Sequence, residues 1–503
     1  MSAASPTSPA PDPLTAPQRR PPLPSGPFLV VGLGRAGFAA ARALAQEAGP
    51  EAVRAWDGAA DPVQLERAAA LRDLGVEVRL GGDGLDALRG AKTVVKSPGV
   101  PPEAPVVAEA TRRGLEVVDE LDLGWRLVPA PTVAVTGTNG KSTVASLCVE
   151  LLAAHGREPV LTGNTEYGPP LSEVALGAVP RSLVAEVSSY QAEGSPALAV
   201  DAAVFTNLTP EHLNRHRSME AYGEAKRRLF LREDWCVPLA ALNADDELGR
   251  RLAAEIDQRG GRALTYGTAA GAGYRIAECR WGLREAELTV EAPDGRVELR
   301  ARLPGAHNAA NLVAVLALAD GLGLPREPTL AALAGAAPVP GRFEVLGDLE
   351  APFDVVVDFA IAPDSVANVL RTARTAARAR GGRLLTVLSV MGRSAPIIGR
   401  ESGQLARELS DHLVLSAASY RGEPRIVALA ALAAGARAGR GGTLEIAIDR
   451  REAIARALAA ARPGDLVALL GRGPTVHEAT DLRGGSHPLD EREIVRDLIR
   501  CAS

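Results

Sequence analysis

The run Thr136-Gly137-Thr138-Asn139-Gly140-Lys141-Ser142-Thr143 constrains this chain more than any other stretch. An apolar, strand-like segment, Thr132-Val133-Ala134-Val135, leads into it, and a helix-like segment, Val144 to Ala154, leaves it. Strand, glycine-rich turn and helix together wrap an anion in backbone N–H groups at a helix N-terminus. The lysine adds a point charge for outer phosphates, and the hydroxyl after it suits Mg²⁺. The generic phosphate-loop pattern also needs a glycine six residues before the lysine. Val135 stands there, so the string is a narrower one. A glycine-rich turn without a ligand is the plain alternative.

A second glycine turn lies upstream. Phe28-Leu29-Val30-Val31 reads as a buried strand, followed by Gly32-Leu33-Gly34-Arg35-Ala36-Gly37 and an alanine-rich helix to Ala48. A strand over Val53–Trp56 then ends at Asp57. This is a Rossmann fingerprint, which suits NAD or any other diphosphate-bearing nucleotide, with Asp57 placed for a ribose or base. Further on, Thr93-Val94-Val95 ends in Lys96-Ser97-Pro98-Gly99.

The expected architecture is α/β in three domains, a number that 503 residues can fill. Residues 1–27 are rich in proline and lack apolar periodicity, so a disordered tail is expected there. Residues 28–128 form a Rossmann-like domain. Residues 129–338, entered through the stiff linker Val128-Pro129-Ala130-Pro131, form a central phosphate-loop domain with a mostly parallel sheet. Residues 339–503, past a hinge at Pro338–Gly341, form a second Rossmann-like domain. Its expected strands, Phe353–Val357, Leu384–Leu388, His412–Leu415 and Leu466–Leu470, alternate with alanine-rich helices.

A net charge of −5 argues against nucleic acid or an anionic membrane as partner. The four cysteines are too scattered for a metal site or disulfide framework, and no apolar run is long enough to span a bilayer. A cytoplasmic protein is expected. Lysine is scarce: only Lys92, Lys96, Lys141 and Lys226 occur, and the rest of the 56 basic residues are arginine. A lysine retained in such a chain hints that an amine is needed.

Four further segments carry chemistry. Glu186, near the end of the apolar strand from Ser182, lies where parallel sheets bind ligands and suits the Mg²⁺ of ATP. Thr209-Pro210-Glu211-His212 reads as a helix start with Thr209 as N-cap. His212 suits metal or substrate, whereas His216, one turn on, reads as packing. Lys226 sits in a helical segment, Met219–Phe230. A helix lysine is ordinarily a solvated charge, but its amine can lose a proton and take up CO₂ as a carbamate, which arginine does not. Asn308 and Asn311 share a helix face and suit an adenine or ribose edge, with simple capping by Asn308 as the alternative.

Taken in order, GLGRAG, SPGVPP, TGTNGKST, EVSSYQ, NLTPEHLNRH, YGEAKRRLF, LPGAHNAAN and PGRFE resemble the Mur ligases, the ATP-dependent amide-forming enzymes of peptidoglycan synthesis. The short first domain is most similar to that of the D-glutamate-adding, MurD-type members. The resemblance implies UDP-MurNAc-L-Ala, D-glutamate and ATP as substrates, and a monomer. It implies that Gly32, Gly34, Arg35 and Gly37 hold the UDP diphosphate, with Asp57 near the uracil and Ser97 and Gly99 beside the substrate. Gly137 to Thr143 would hold ATP, with Lys141 on its phosphates. Ser142 or Thr143 and Glu186 would take one Mg²⁺; His212 and carbamylated Lys226 would take a second. Asn164 would contact the muramoyl substrate or a phosphate, Ser188 the substrate, Asn308 and Asn311 the adenine, and Arg342 and Asp358 the nucleotide from the third domain. Arg393, Ser394 and Arg472 would receive a dicarboxylic amino acid.

Departures from the family strings leave two alternatives open. The usual Asp-His-Leu-Asp-Arg-His is Glu211-His212-Leu213-Asn214-Arg215-His216 here, and Gly-Asn-Ile-Gly is Gly163-Asn164-Thr165-Glu166. Asp358–Ser365 looks like the segment of members adding the third residue, with Ile361 in place of histidine, and Gly471-Arg472-Gly473 replaces their lysine-containing loop. A paralogue adding L-lysine or another diamino acid, or a catalytically impaired relative, are therefore the other readings.

Overall fold

Strands that are apolar along their whole length belong between two layers of helices, and the computed structural model places them there. It describes residues 12–502 apart from 16, 348, 392–394, 418–424 and 480–485. The first sheet is entirely parallel, in the order β3-β2-β1-β4-β5. Its strands are β1 (Phe28–Val31), β2 (Val53–Asp57), β3 (Glu77–Leu80), β4 (Thr93–Lys96) and β5 (Glu116–Asp119).

The central sheet runs β14-β13-β12-β11-β10-β9-β6-β8-β7. Strands β6 (Thr132–Thr136), β7 (Pro159–Gly163), β8 (Ser182–Glu186), β9 (Ala202–Phe205), β10 (Leu239–Asn243) and β11 (Arg262–Gly267) are parallel. From β6 the chain passes to β7 and then β8 on one side, and crosses to β9 on the other. That reversal opens a crevice at the carboxyl ends of β6, β8 and β9, where such sheets bind ligands. An antiparallel extension, β12 (Tyr274–Trp281), β13 (Ala286–Ala292) and β14 (Gly295–Ala301), completes the sheet.

In the third sheet the order is β15-β16-β20-β17-β18-β19. Here β15 (Glu344–Val345) pairs antiparallel with β16 (Asp354–Asp358); β17 (Leu384–Leu388), β18 (His412–Leu415), β19 (Thr443–Ile446) and β20 (Leu466–Leu470) are parallel.

The N-terminal segment corrects the expectation of a disordered tail over its described part. Leu14 is buried in the central core beside Val144 and Leu147. The Gln18 N–H donates to Asp201 Oδ1 at 2.6 Å. The Arg20 guanidinium stacks 4.0 Å above the Trp125 ring and donates to Ala130 O at 2.5 Å. Leu23 packs on the first-domain core. The segment thus crosses the joint between the first two domains. Proline content suggested disorder, but two anchoring side chains and a cation–π contact hold it.

Glu120 ties the same joint together. It is buried, and its carboxylate accepts the Ser172 N–H at 2.7 Å. Burial pushes this carboxyl from an ordinary 4.5 up to about 7. The folded chain therefore holds the proton more tightly than the unfolded chain does. That contribution to stability is complete below the unfolded value and is lost as pH rises through about 7. Glu120→Gln should flatten the fall of Tm between about pH 5 and 8. A wild-type slope in the variant would show that Glu120 does not titrate there.

Candidate active site

The phosphate loop closes where only glycine fits. Gly137 has φ +149°, and a Cβ there would lie 1.8 Å from Thr206 Oγ1. Gly140 has φ +84°, with Asn311 Oδ1 2.7 Å from its missing Cβ. The helix Lys141–Ala154 starts directly behind it, so its unpaired N–H groups face the crevice. Ser142 and Thr143 stand in its first turn, and Lys141 Nζ folds back on Thr138 O at 2.7 Å.

One cavity of about 530 Å³ gathers most of the expected residues. Thr138, Asn139 and Lys141 to Thr143 line it with Asn164, Glu186, His212, Asn308 and Asn311, and the third domain adds Arg342 and Asp358. Asn311 Nδ2 donates to Asn308 Oδ1 at 3.0 Å, and Asn308 Nδ2 to Pro304 O at 2.7 Å. The helix carrying them begins at Ala306, so Asn308 is not its cap.

Glu186 ends β8 and is buried. Its Oε1 accepts from Asn164 Nδ2 at 3.2 Å, whereas Oε2 is buried without a hydrogen-bond partner among the described residues. A buried carboxylate oxygen with no donor fits a cation. Among the described residues no three His, Cys, Asp or Glu side chains converge on one point. A cation here would share Glu186 with hydroxyl and phosphate oxygens, as Mg²⁺ does.

Lys226 lies behind the loop, 1% exposed. Its Nζ donates to Gly137 O at 2.6 Å and sits 4.5 Å from the Tyr222 ring centroid. Burial first, then the charge of Lys141, pushes its amine well below the usual lysine value. His212 has φ +56°, a left-handed conformation that non-glycine residues adopt under constraint. Its ring lies 5.1 Å from Tyr190, and burial lowers its affinity for a proton despite the opposing charge of Glu211. A neutral imidazole is the form that ligates metal.

Some expectations are corrected. Thr209 caps no helix: the short helix Leu213–His216 follows His212, and the Thr209 N–H donates instead to Thr138 Oγ1 at 3.0 Å. The Ser188 hydroxyl accepts the Gln191 N–H as cap of the helix Ser189–Gly194 and lies off the cavity wall. Arg472, just past β20, is fully enclosed and also off that wall. Arg393 and Ser394 lie outside the described residues. His216 is a packed histidine, bonded to Ser189 Oγ at 2.9 Å.

In the first domain a Cβ on Gly37 would sit 1.8 Å from Gly32 O, so helix and turn meet in contact. Ser97 Oγ donates to Gly32 O at 2.8 Å, and Gly99 lies in the turn closed by Val100 N to Ser97 O at 3.0 Å. Gly34 caps the helix Arg35–Ala48, with nothing within 4 Å of a Cβ built there. Asp57 is already engaged: Oδ2 accepts from Leu33 N at 2.5 Å and Oδ1 from Ala59 N at 2.8 Å. In this structure it braces the turn.

Two residues escaped the sequence reading. Asn207, just beyond β9, brackets the phosphate loop by accepting the Asn139 N–H at 2.9 Å and donating to Asn139 O at 3.1 Å. Asp364, in the third domain, accepts from Asn139 Nδ2 at 2.8 Å. The signals for Asn207 were its position two residues past a buried strand and its place at the head of the string NLTPEHLNRH.

Fold and site define a three-domain, ATP-dependent ligase. The Mur ligase middle domain matches residues 135–319, the Mur ligase glutamate ligase domain residues 341–473, and the Mur ligase MurD-like N-terminal domain residues 27–119. A UDP-N-acetylmuramoyl-L-alanyl-D-glutamate–2,6-diaminopimelate ligase of Chromobacterium violaceum is 32% identical over 387 residues, 73% of this chain and 76% of that protein. A UDP-N-acetylmuramoylalanine–D-glutamate ligase of a Synechococcus species is 35% identical over 336 residues, 64% of this chain and 68% of that protein. The crystal structure of the UDP-N-acetylmuramate–alanine ligase of Thermotoga maritima superposes with a TM-score of 0.60 at 21% identity, covering 94% of this chain and 98% of that one. The chain belongs to the Mur ligase family, the ATP-dependent ligases of peptidoglycan precursor synthesis. Among the described residues no helix is long and apolar enough to cross a membrane.

Proposed function

We propose that this chain joins D-glutamate to UDP-N-acetylmuramoyl-L-alanine in the cytoplasm, with ATP as the activating substrate. The observation that carries the ligase chemistry is one cavity holding the phosphate loop, Glu186 and third-domain residues together. The MurD-like first domain favours D-glutamate.

A carboxylate is a poor acyl donor until it is phosphorylated. It must approach the γ-phosphate, so two anions meet. Lys141 and the N–H groups of Gly137 to Thr143 stabilise the charge on the phosphates. Mg²⁺, held by Glu186 with Ser142 or Thr143, and a second ion held by His212 and carbamylated Lys226, would mask what remains. Asn164 orients the muramoyl carboxylate beside Glu186, Asn308 and Asn311 hold the adenine, and Arg342 and Asp358 reach the nucleotide from the third domain. The amine of the amino acid then attacks the acyl phosphate and inorganic phosphate leaves. A third domain closed over the cavity keeps water from that intermediate. The diphosphate would sit on the Gly32–Gly37 turn.

A second reading, addition of a diamino acid to UDP-MurNAc-L-Ala-D-Glu, is favoured by relatives named as diaminopimelate ligases. The test is ADP release with each acceptor against a panel of amino acids. D-Glutamate with UDP-MurNAc-L-Ala is expected to give the turnover. Turnover only with a diamino acid and the longer acceptor would overturn the first reading.

A further inference from the structure

The turn after β7 is touched by all three domains. Arg35, from the first domain, donates to Gly168 O at 2.8 Å. Glu186, in the central sheet, accepts the Asn164 N–H on its carbonyl at 2.7 Å and the Asn164 amide on Oε1 at 3.2 Å. Tyr167 Oη donates to Pro340 O, in the third-domain hinge, at 2.5 Å. The turn has no room to slide along β8, because a Cβ on Gly163, at φ +90°, would lie 2.2 Å from Glu186 O.

The hinge beyond Pro340 is equally stiff. A Cβ on Gly341 would lie 2.3 Å from Gly473 C and Pro474 N, so hinge and third domain move as one. Phe343, at φ +48°, donates its N–H to Asp358 Oδ2 at 2.7 Å. Arg342, between them, lines the cavity with Asp358. A shift of Pro340 therefore displaces both residues. Burial pushes the Tyr167 hydroxyl up to about 12, so it remains a donor at any working pH.

We propose that Tyr167 is a positioning residue: through Pro340 its hydroxyl sets the third-domain hinge in register with Glu186 and Arg35, coupling first-domain docking to third-domain closure. The catalytic consequence rests on the ligase reading above; the mechanical coupling does not. Loosening the hinge leaves Lys141, Asn308 and Asn311 in place. It admits water to the acyl phosphate, whose hydrolysis returns the carboxylate and releases phosphate, so the ADP already formed is matched by no amide.

Tyr167→Phe removes only the hydroxyl. Hydrogen exchange at the amides of Val339 and Gly341 to Phe343 in the full chain should quicken about three- to tenfold, the size of one hydrogen bond. Arg35→Ala should quicken the same amides, and the double variant should match the larger single effect rather than their product. With ATP, UDP-MurNAc-L-Ala and D-glutamate, ADP formed per amide should rise in Tyr167→Phe at unchanged KM for ATP. A role in stability alone would lower Tm and leave that ratio fixed. Unchanged exchange, or multiplicative effects in the double variant, would overturn the coupling. If the wild-type chain forms no amide with any amino acid, the ligase reading falls, and the exchange measurements still decide this one.

Discussion

Lys226→Arg is expected to lower ligation by about a hundredfold or more while the chain stays folded. Approximate length and hydrogen-bonding capacity survive the change while the guanidinium keeps its proton, so a loss of that size isolates what an amine does and a guanidinium does not. The Lys226 amine is enclosed, hydrogen-bonded to Gly137 O and held near the charge of Lys141, which together push it well below the usual lysine value. The amine therefore gives up its proton more readily than an ordinary lysine, which frees the lone pair that CO₂ needs. A carbamate on Lys226 would place a negative charge beside the phosphate loop, where a second divalent ion could use it. The sign with pH follows. Activity should persist to lower pH than an ordinary lysine would allow, and fall as the amine protonates through its depressed value. Stripping CO₂ and bicarbonate from the buffer should slow the wild type, and ¹³C-bicarbonate should give a carbamate signal that Lys226→Arg lacks. Full activity in CO₂-free buffer would sink the carbamate.

What the sequence made legible follows from burial. Strands β17, β18 and β20 were read to the residue because both faces are covered, leaving uninterrupted apolar runs. The antiparallel extension was missed because β14 alternates exposed arginine and glutamate with buried valine and leucine, a weaker pattern in a charged stretch. In the site, the string at 136–143 declared itself because the phosphate loop is a local structure. Its supports were not legible, since they are distant in the chain: Asn139 and Asp364 are 225 residues apart, and Asn207 matters only because β9 lies beside β6. Thr209 shows the opposite failure. Its capping chemistry was correct locally, but a tertiary contact took the hydroxyl, which accepts from Asn139 Nδ2 at 3.3 Å. The N-terminal segment misled for a similar reason, because composition does not register two anchors such as Leu14 and Arg20.

Glu186→Gln should separate stability from activity in opposite directions. The carboxylate is buried with a single donor, Asn164, and its second oxygen has no partner among the described residues. Such a charge destabilises the chain unless a cation joins it, because the lost hydration is not replaced. Glutamine keeps an oxygen for Asn164 and removes the charge, so Tm without nucleotide should hold steady or rise. The same change removes the anionic ligand and turns an amide N–H toward the place a cation would occupy. Ligation should then fall about a hundred- to a thousandfold. The rise in Tm that Mg²⁺ and ATP give the wild type should shrink more in the variant than the rise given by ATP with EDTA. Site residues that weaken the free protein are the ones whose partner arrives with substrate, and this pair of measurements tests that for Glu186. A variant that keeps its Mg²⁺-dependent shift would place the cation elsewhere, and the orphaned oxygen would then be a defect of packing rather than a ligand.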